Sequence, residues 1–197
     1  MTDVINELAG IAAGSPLDKA RDNRAEAKKH AQTSYDSLFS AKDFGAFPAQ
    51  ERWAVAAFVA ALHGRPETVD YYAGKLKDAG GSPELQVALQ SEAVTAHAHG
   101  PYGHYPSGPL SRENSEGLKY AVTISARHAL GRRLTAAFEH VHMLVYHPRD
   151  ARPDTLKAML DAGWSTTDVV TLSQLVSFLA FQIRVVAGLI AMQGNTK

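Results

Sequence analysis

Apolar side chains recur every three to four residues along most of this chain, and no run of alternating β-branched residues is bounded by hairpin turns. That pattern predicts an all-α protein. Val4, Leu8 and Ile11 share one face of a short helix over 3–13, which Gly14-Ser15-Pro16 stops. Residues 16–40, rich in Ala, Lys, Arg and Glu, read as one polar, peripheral helix. A third helix opens at Pro48, a residue favoured at the first helical position, and carries Val55, Phe58, Val59 and Leu62 along one stripe. It should break at His63-Gly64-Arg65-Pro66, because the proline ring disfavours the α conformation at Arg65.

Pro66 then starts a helix to about Asp78, closed by Ala79-Gly80-Gly81, and another covers about 83–99. The Gly- and Pro-dense stretch 100–109 is loop. Further helices are expected over about 111–130, 134–147 and 154–162. The last helix has a clear start: Ser165 as cap, Asp168 at the third helical position, and Trp164 set to staple against Val169. Its apolar run from Leu175 to Met192 is barely long enough to span a bilayer and carries Gln182 and Arg184 near its centre. A mid-membrane arginine costs roughly 2.5–3.5 kcal/mol, so this run reads as a helix buried on most sides by protein, with no membrane contact.

A shift of 117 residues lays Phe47-Pro48-Ala49-Gln50-Glu51-Arg52 over Trp164-Ser165-Thr166-Thr167-Asp168-Val169. The same shift pairs Val55 with Leu172, Phe58 with Leu175, Val59 with Val176 and Leu62 with Leu179. Aromatic, cap region, acid and apolar stripe recur in order, which points to an internal two-fold helical repeat. One domain over 1–197 then divides into a helical extension (1–46), a first core repeat (47–80), middle helices with the Gly/Pro loop (81–133), and a second core repeat (134–197).

Phe47-Pro48-Ala49-Gln50-Glu51-Arg52, followed by the segment from Ala60-Ala61-Leu62-His63-Gly64-Arg65-Pro66 to Tyr72, resembles the core of carboxymuconolactone decarboxylase and alkylhydroperoxidase D-like proteins. Ala162-Gly163-Trp164-Ser165 and the segment 178–184 are similar to the peroxidase-related branch of that superfamily. The resemblance covers about 47–72 and 134–189. It implies an orthogonal helical bundle that assembles into dimers, trimers or hexamers. It also implies a Cys-x-x-Cys pair at a helix start, where the helix dipole favours a thiolate, with a Glu and a His as proton relay. Carried over residue by residue, the two sulfurs fall on Arg65 and Thr68, the His on Tyr72 and the Glu on Trp53.

All four are replaced, and the chain contains no cysteine at all. Thiol peroxidase chemistry is therefore excluded, since it needs a thiolate and a disulfide partner. No disulfide framework and no thiolate metal site is possible either. Lys+Arg and Asp+Glu both number 20, so the basic footprint of a nucleic-acid binder is missing, and zero net charge favours association into a homo-oligomer. The N-terminus lacks a basic, apolar leader pattern, so a cytoplasmic location is expected.

Candidate chemistry is sparse. Arg65, the free N–H groups after Gly64, and Tyr72 form one candidate site for a small anion such as a carboxylate; a surface ion pair with Glu67 or Asp70 is the plainer reading of Arg65. Glu51 and Arg52 are expected to pair and orient helices, with Glu51 as general acid the alternative. His140, His142 and His147 lie on one predicted helix, as packing or interface residues or with His140 as general base. His104, Tyr102 and Tyr105 either pin the 100–109 loop or close it over a ligand. His97, His99, His104 and Glu92 lack the spacing of a metal site, and no P-loop accompanies the glycines, so neither metal nor cofactor is expected.

Two functions follow. The first is a cysteine-less, non-catalytic member of the superfamily, acting as a homo-oligomer, as partner of a cysteine-bearing relative, or as a small-acid binder. The alternative is a cofactor-free acid–base enzyme acting on a small carboxylate or lactone. There Arg65 would hold the carboxylate and His63, His140 or His104 would move the proton.

Overall fold

A computed structural model describes residues 3–194, and among them helices and loops make up the whole fold apart from one isolated bridge between Gly103 and Ser115. The helices are α1 (Val4–Ala9), α2 (Pro16–Asp22), α3 (Ala25–Phe39), α4 (Ala49–His63), α5 (Pro66–Asp78), α6 (Pro83–Ala96), α7 (Arg127–Tyr146), α8 (Pro153–Asp161) and α9 (Thr166–Gly194). The all-α expectation holds.

α4 is the axis of the molecule. Every side chain from Arg52 to Ala60 is buried, and α5, α6, α7 and α9 pack around it. A helix apolar all round must be covered all round, and its alanines let neighbours approach closely. Phe58 stacks on Phe138 of α7 with centroids 4.1 Å apart. α9 lies along α4, with Leu172, Leu175, Leu179 and Ile183 buried.

The positions matched by the 117-residue shift share their burial: Val55 with Leu172, Phe58 with Leu175, Val59 with Val176, and Leu62 with Leu179. Both helices start one residue after the matched positions Pro48 and Ser165. Ser165 and Asp168 form the expected reciprocal cap: the Asp168 N–H donates to Ser165 Oγ at 3.1 Å, and the Ser165 N–H to Asp168 Oδ2 at 3.3 Å. The likeness ends where α4 stops at Gly64, because α9 runs straight through the counterpart, Phe181.

Four expectations need correction. The polar stretch 16–40 is two helices, broken at Asn23–Arg24, a turn that lets Lys28 reach back to Asp18 and Asp22. Pro48 precedes α4 in extended conformation rather than opening it. α9 is long and apolar enough to cross a membrane, yet it is not buried on most sides: Val170, Phe181, Ile190 and Met192 stay exposed.

The largest difference is 111–130, where the α-helix forms only over the last four residues. A single 3-10 turn (Pro109–Glu113) gives way to irregular chain, and α7 begins only at Arg127. Side chains of the neighbouring helices capture this segment's polar groups. Glu92 of α6 accepts from Tyr120 Oη at 2.6 Å and from the Thr123 N–H and hydroxyl. Glu139 of α7 accepts from the Val122 N–H at 3.0 Å. Gly117 is required here, since a Cβ would lie 2.4 Å from the Tyr102 ring. α7 itself kinks at Gly131, whose φ of 67° is natural only for glycine.

Candidate functional site

The four positions where the resemblance would put sulfur chemistry do not surround a cavity. Trp53 and Tyr72 are both buried, their ring centroids 6.2 Å apart in a cluster that includes Tyr35, Phe39 and Tyr71. Trp53 stacks on Phe39 at 4.2 Å. Thr68 is fully buried and turns its hydroxyl back to the Arg65 carbonyl at 2.9 Å. Arg65 sits exposed at the start of α5. Tyr72 has no exposed surface, and its hydroxyl donates to Gln182 Oε1. The pairing of Arg65 with Tyr72 as an anion clamp is thus corrected: one faces water and the other is sealed, as five aromatic rings fill the space between α3, α4 and α5.

Glu51 does not pair with Arg52. Arg52 is buried and spends its guanidinium on the carbonyls of Phe47 (2.8 Å), Leu38 (3.0 Å) and Phe44. Glu51 instead receives a two-pronged contact from Arg133, with Nε at 3.0 Å and Nη2 at 2.9 Å. Arg133 also donates to the carbonyls of Ala46 (2.8 Å) and Gly163, and its guanidinium covers the Trp164 ring at 4.3 Å. Ala46 and Gly163 are partners under the 117-residue shift. One arginine therefore clasps the chain just ahead of both α4 and α9, which makes Glu51 a structural anchor with no free oxygen aimed at a pocket.

His63, at the end of α4, reaches a broad depression beside Arg184 and Ser177. Burial, then the Arg184 charge, pushes its pKa down to about 4, and its Nε2 has no hydrogen-bond partner and is sealed from solvent. A ligand in that depression cannot use this nitrogen.

The residues that do converge are two histidines of α7 and the one just past its end. His140, His142 and His147 line a cavity of about 240 Å³ with Tyr120, Glu139, Lys119 and Asp150. The fold makes this site because the 114–126 segment, held by Glu92 and Glu139, walls one side while the turn Pro148–Asp150 brings a carboxylate under the helix end. Asp150 Oδ2 lies 3.1 Å from His147 Nδ1, and His147 Nε2 lies 3.3 Å from His142 Nδ1. A carboxylate beside Nδ1 fixes the proton there, so His147 Nε2 is left as an acceptor for the His142 Nδ1–H. Burial foremost, then the neighbouring His147, lowers the His142 pKa to about 4, with the Ala96 carbonyl pulling the other way. Asp150 is held below the usual carboxylate range by the His104 N–H and by His147, against its partial burial.

His140 differs from its neighbours. It is buried, makes no hydrogen bond among the described residues, and has Nδ1 sealed without a partner. Burial alone lowers its pKa, so at neutral pH it is a neutral imidazole; Nδ1 is sealed, which leaves only Nε2 for the cavity that the ring lines. Tyr120 is driven the opposite way, its hydroxyl kept protonated by burial and by the Glu92 carboxylate.

His104 lies outside this chamber. Its N–H donates to Asp150 Oδ1 at 2.8 Å and its Nε2 meets Glu116 at 2.9 Å, in an outer cleft that shares Lys119, His147 and Asp150 with the inner cavity. Tyr102 is buried, stacked on His147 at 4.8 Å, so it pins the loop rather than capping a ligand. Among the described residues, no group of three or more His, Asp or Glu is arranged to hold a metal. His97 and His99 only touch edge to face.

Sequence reasoning singles out His140 and His104 but misses Lys119, Tyr120 and Asp150. The i, i+3 spacing of His147 and Asp150 is the one available signal. Compared with family models, with curated proteins and with solved structures, the chain has no significant match. The likeness drawn from 47–72 and 134–189 accordingly rests on those residues alone.

Proposed function

We propose that this protein is a cofactor-free acid–base catalyst for a small carboxylate or lactone, with its site in the α7 histidine cavity. One observation carries the reading. An unpartnered neutral imidazole, His140, lines a small cavity beside a second imidazole oriented by a carboxylate. A buried histidine of lowered pKa is held in the unprotonated form that a general base needs, and such perturbed groups gather at functional sites.

The chemistry in this reading is proton transfer at carbon. His140 removes the proton α to a carbonyl, and the electron pair moves into the carbonyl as an enolate. The proton then returns to carbon, from His140 or from the His142–His147–Asp150 chain. Lys119 makes no ion pair among the described residues and stands where the inner and outer chambers meet, suited to a carboxylate. No oxidant, reductant or metal is required. Arg65 and His63, candidates from sequence, have no part in it.

The test is proton exchange into a panel of γ-lactones and β-keto carboxylates in deuterium oxide, followed by NMR. The reading expects α-deuteration of at least one member, lost in His140→Ala and reduced in Lys119→Met. Absence of exchange across the panel, or exchange unaffected by His140→Ala, overturns it. A second reading, binding without turnover, is favoured by the aromatic closure around Trp53 and Tyr72; it predicts ligand-induced shifts of the His140 ring resonances with no deuteration.

A further inference from the structure

We infer a second, unrelated binding site: the groove between α2, α3 and the C-terminal half of α9 takes a hydrocarbon-tailed monocarboxylate. The groove has a volume of about 520 Å³. Ligand sites of small molecules fall in this range. Leu17, Ala20, Ala27, Phe181, Val185 and Leu189 form its apolar lining. α2 buries none of its own residues, so its apolar side chains face this groove rather than the core. Phe181 is 47% exposed, the surface a hydrocarbon chain would cover.

The rim decides the charge of the ligand. Its charged members are Arg21, Arg24 and Lys28, with no acidic side chain among the lining residues. Arg21 is paired with Asp3 at 2.7 Å, and Lys28 with Asp18 and Asp22 at 2.7 and 2.8 Å. The Asp18 carboxyl is held well below its ordinary range by Lys28, the Gly14 N–H and Asn6, so the Lys28 pair persists at neutral pH. Arg24 is exposed and its side chain has no partner among the described residues. An apolar trough with one free guanidinium at its edge matches an anion carrying an alkyl tail. A second copy of the chain docked here about a two-fold axis would bring an unpaired Arg24 from each copy to the same interface and offer neither an anion, which disfavours that occupant.

The experiment is calorimetric titration of the full chain with decanoate below its micellar concentration, beside decanol and decyltrimethylammonium. Saturable one-to-one binding of decanoate is expected, at least tenfold tighter than decanol, with none for the cation. Arg24→Glu should weaken decanoate at least tenfold and Arg24→Lys should retain it; Phe181→Glu, at a half-exposed position, should abolish binding while leaving the melting curve intact. Equal affinity for decanoate and decanol overturns the inference, as does an unchanged Arg24→Glu. So does a concentration-dependent dimer that Phe181→Glu dissolves without any decanoate binding, or adsorption to phosphatidylglycerol vesicles with no binding of monomeric decanoate. His140→Ala should bind decanoate normally, which separates this outcome from the fate of the histidine cavity.

Discussion

Phe47 and Trp164, 117 positions apart, meet edge to face with ring centroids 4.8 Å apart and planes 71° from parallel. Each ring stands just before a core helix, α4 or α9, and Arg133 ties the starts of both helices together from outside. The contact turns a correspondence along the chain into one between neighbours in space.

Arg133 should therefore be a stability residue. Arg133→Met is expected to cost about 2–3 kcal/mol, because a charged hydrogen-bonded pair is broken and Glu51 keeps no cation. For a chain of this size that lowers the melting temperature by roughly 5–10 °C. Arg133→Lys should recover little, since an ammonium cannot span Glu51 and two carbonyls together. Thermal unfolding of both variants tests this; a loss under about 0.5 kcal/mol would reduce the clasp to a surface pair.

The Tyr72–Gln182 bond is buried on both sides, and Gln182 Nε2 already lacks a partner. Tyr72→Phe should cost about 1–3 kcal/mol by leaving the Gln182 amide wholly unsatisfied. Adding Gln182→Leu should return part of that loss, because two apolar groups leave nothing unpaired. Urea denaturation of the two singles and the double closes the cycle. Additive losses would contradict the account.

Acid should destabilise the fold through its histidines. The His142 pKa is about 4 in the fold, lowered first by burial and then by His147, against an ordinary 6.5. The unfolded chain thus binds the proton more readily. The stability tied to His142 is complete above pH 6.5, drains away as pH falls toward 4, and changes no further below that. The full difference is about 3 kcal/mol. His63 acts in the same direction over the same window. Unfolding free energies at pH 7, 6, 5 and 4.5 should fall steadily, and His142→Gln should flatten the slope. An identical slope in that variant would show that His142 is not the group titrating.

Cysteines placed where the resemblance would put them should not make a peroxidase. In Arg65→Cys/Thr68→Cys, the first thiol would stand in water and the second would be sealed where Thr68 is fully buried. Ellman's reagent should titrate one thiol promptly and the other only on unfolding. With Trp53 and Tyr72 at the positions where the resemblance would put the acid and the imidazole, organic hydroperoxide turnover should stay at background. Measurable turnover would mean that the aromatic cluster opens in solution.

Much of the architecture is legible in the chain's local patterns. Local rules suffice wherever an element's ends carry their own chemistry: Pro66 after Gly64, Ser82 before α6, and the Ser165/Asp168 cap all lie where the residues demand. The 111–130 segment defeats those rules because its helical spacing is real, while the competing partners, Glu92 and Glu139, come from other helices. The candidate site is half legible: His140 and His104 stand out by residue type. Asp150 and Lys119 do not, because no spacing along the chain announces that a turn after α7 and a loop ahead of it will face each other.

The sequence by itself determined that the fold is helical and that thiol chemistry is impossible, for these follow from periodicity and residue inventory. Only the tertiary structure decided that Tyr72 is sealed, that Glu51 belongs to Arg133, and that the histidines of α7 share a cavity with Asp150. Burial and pairing across distant segments set which polar groups meet water and which meet each other, and no local pattern encodes that.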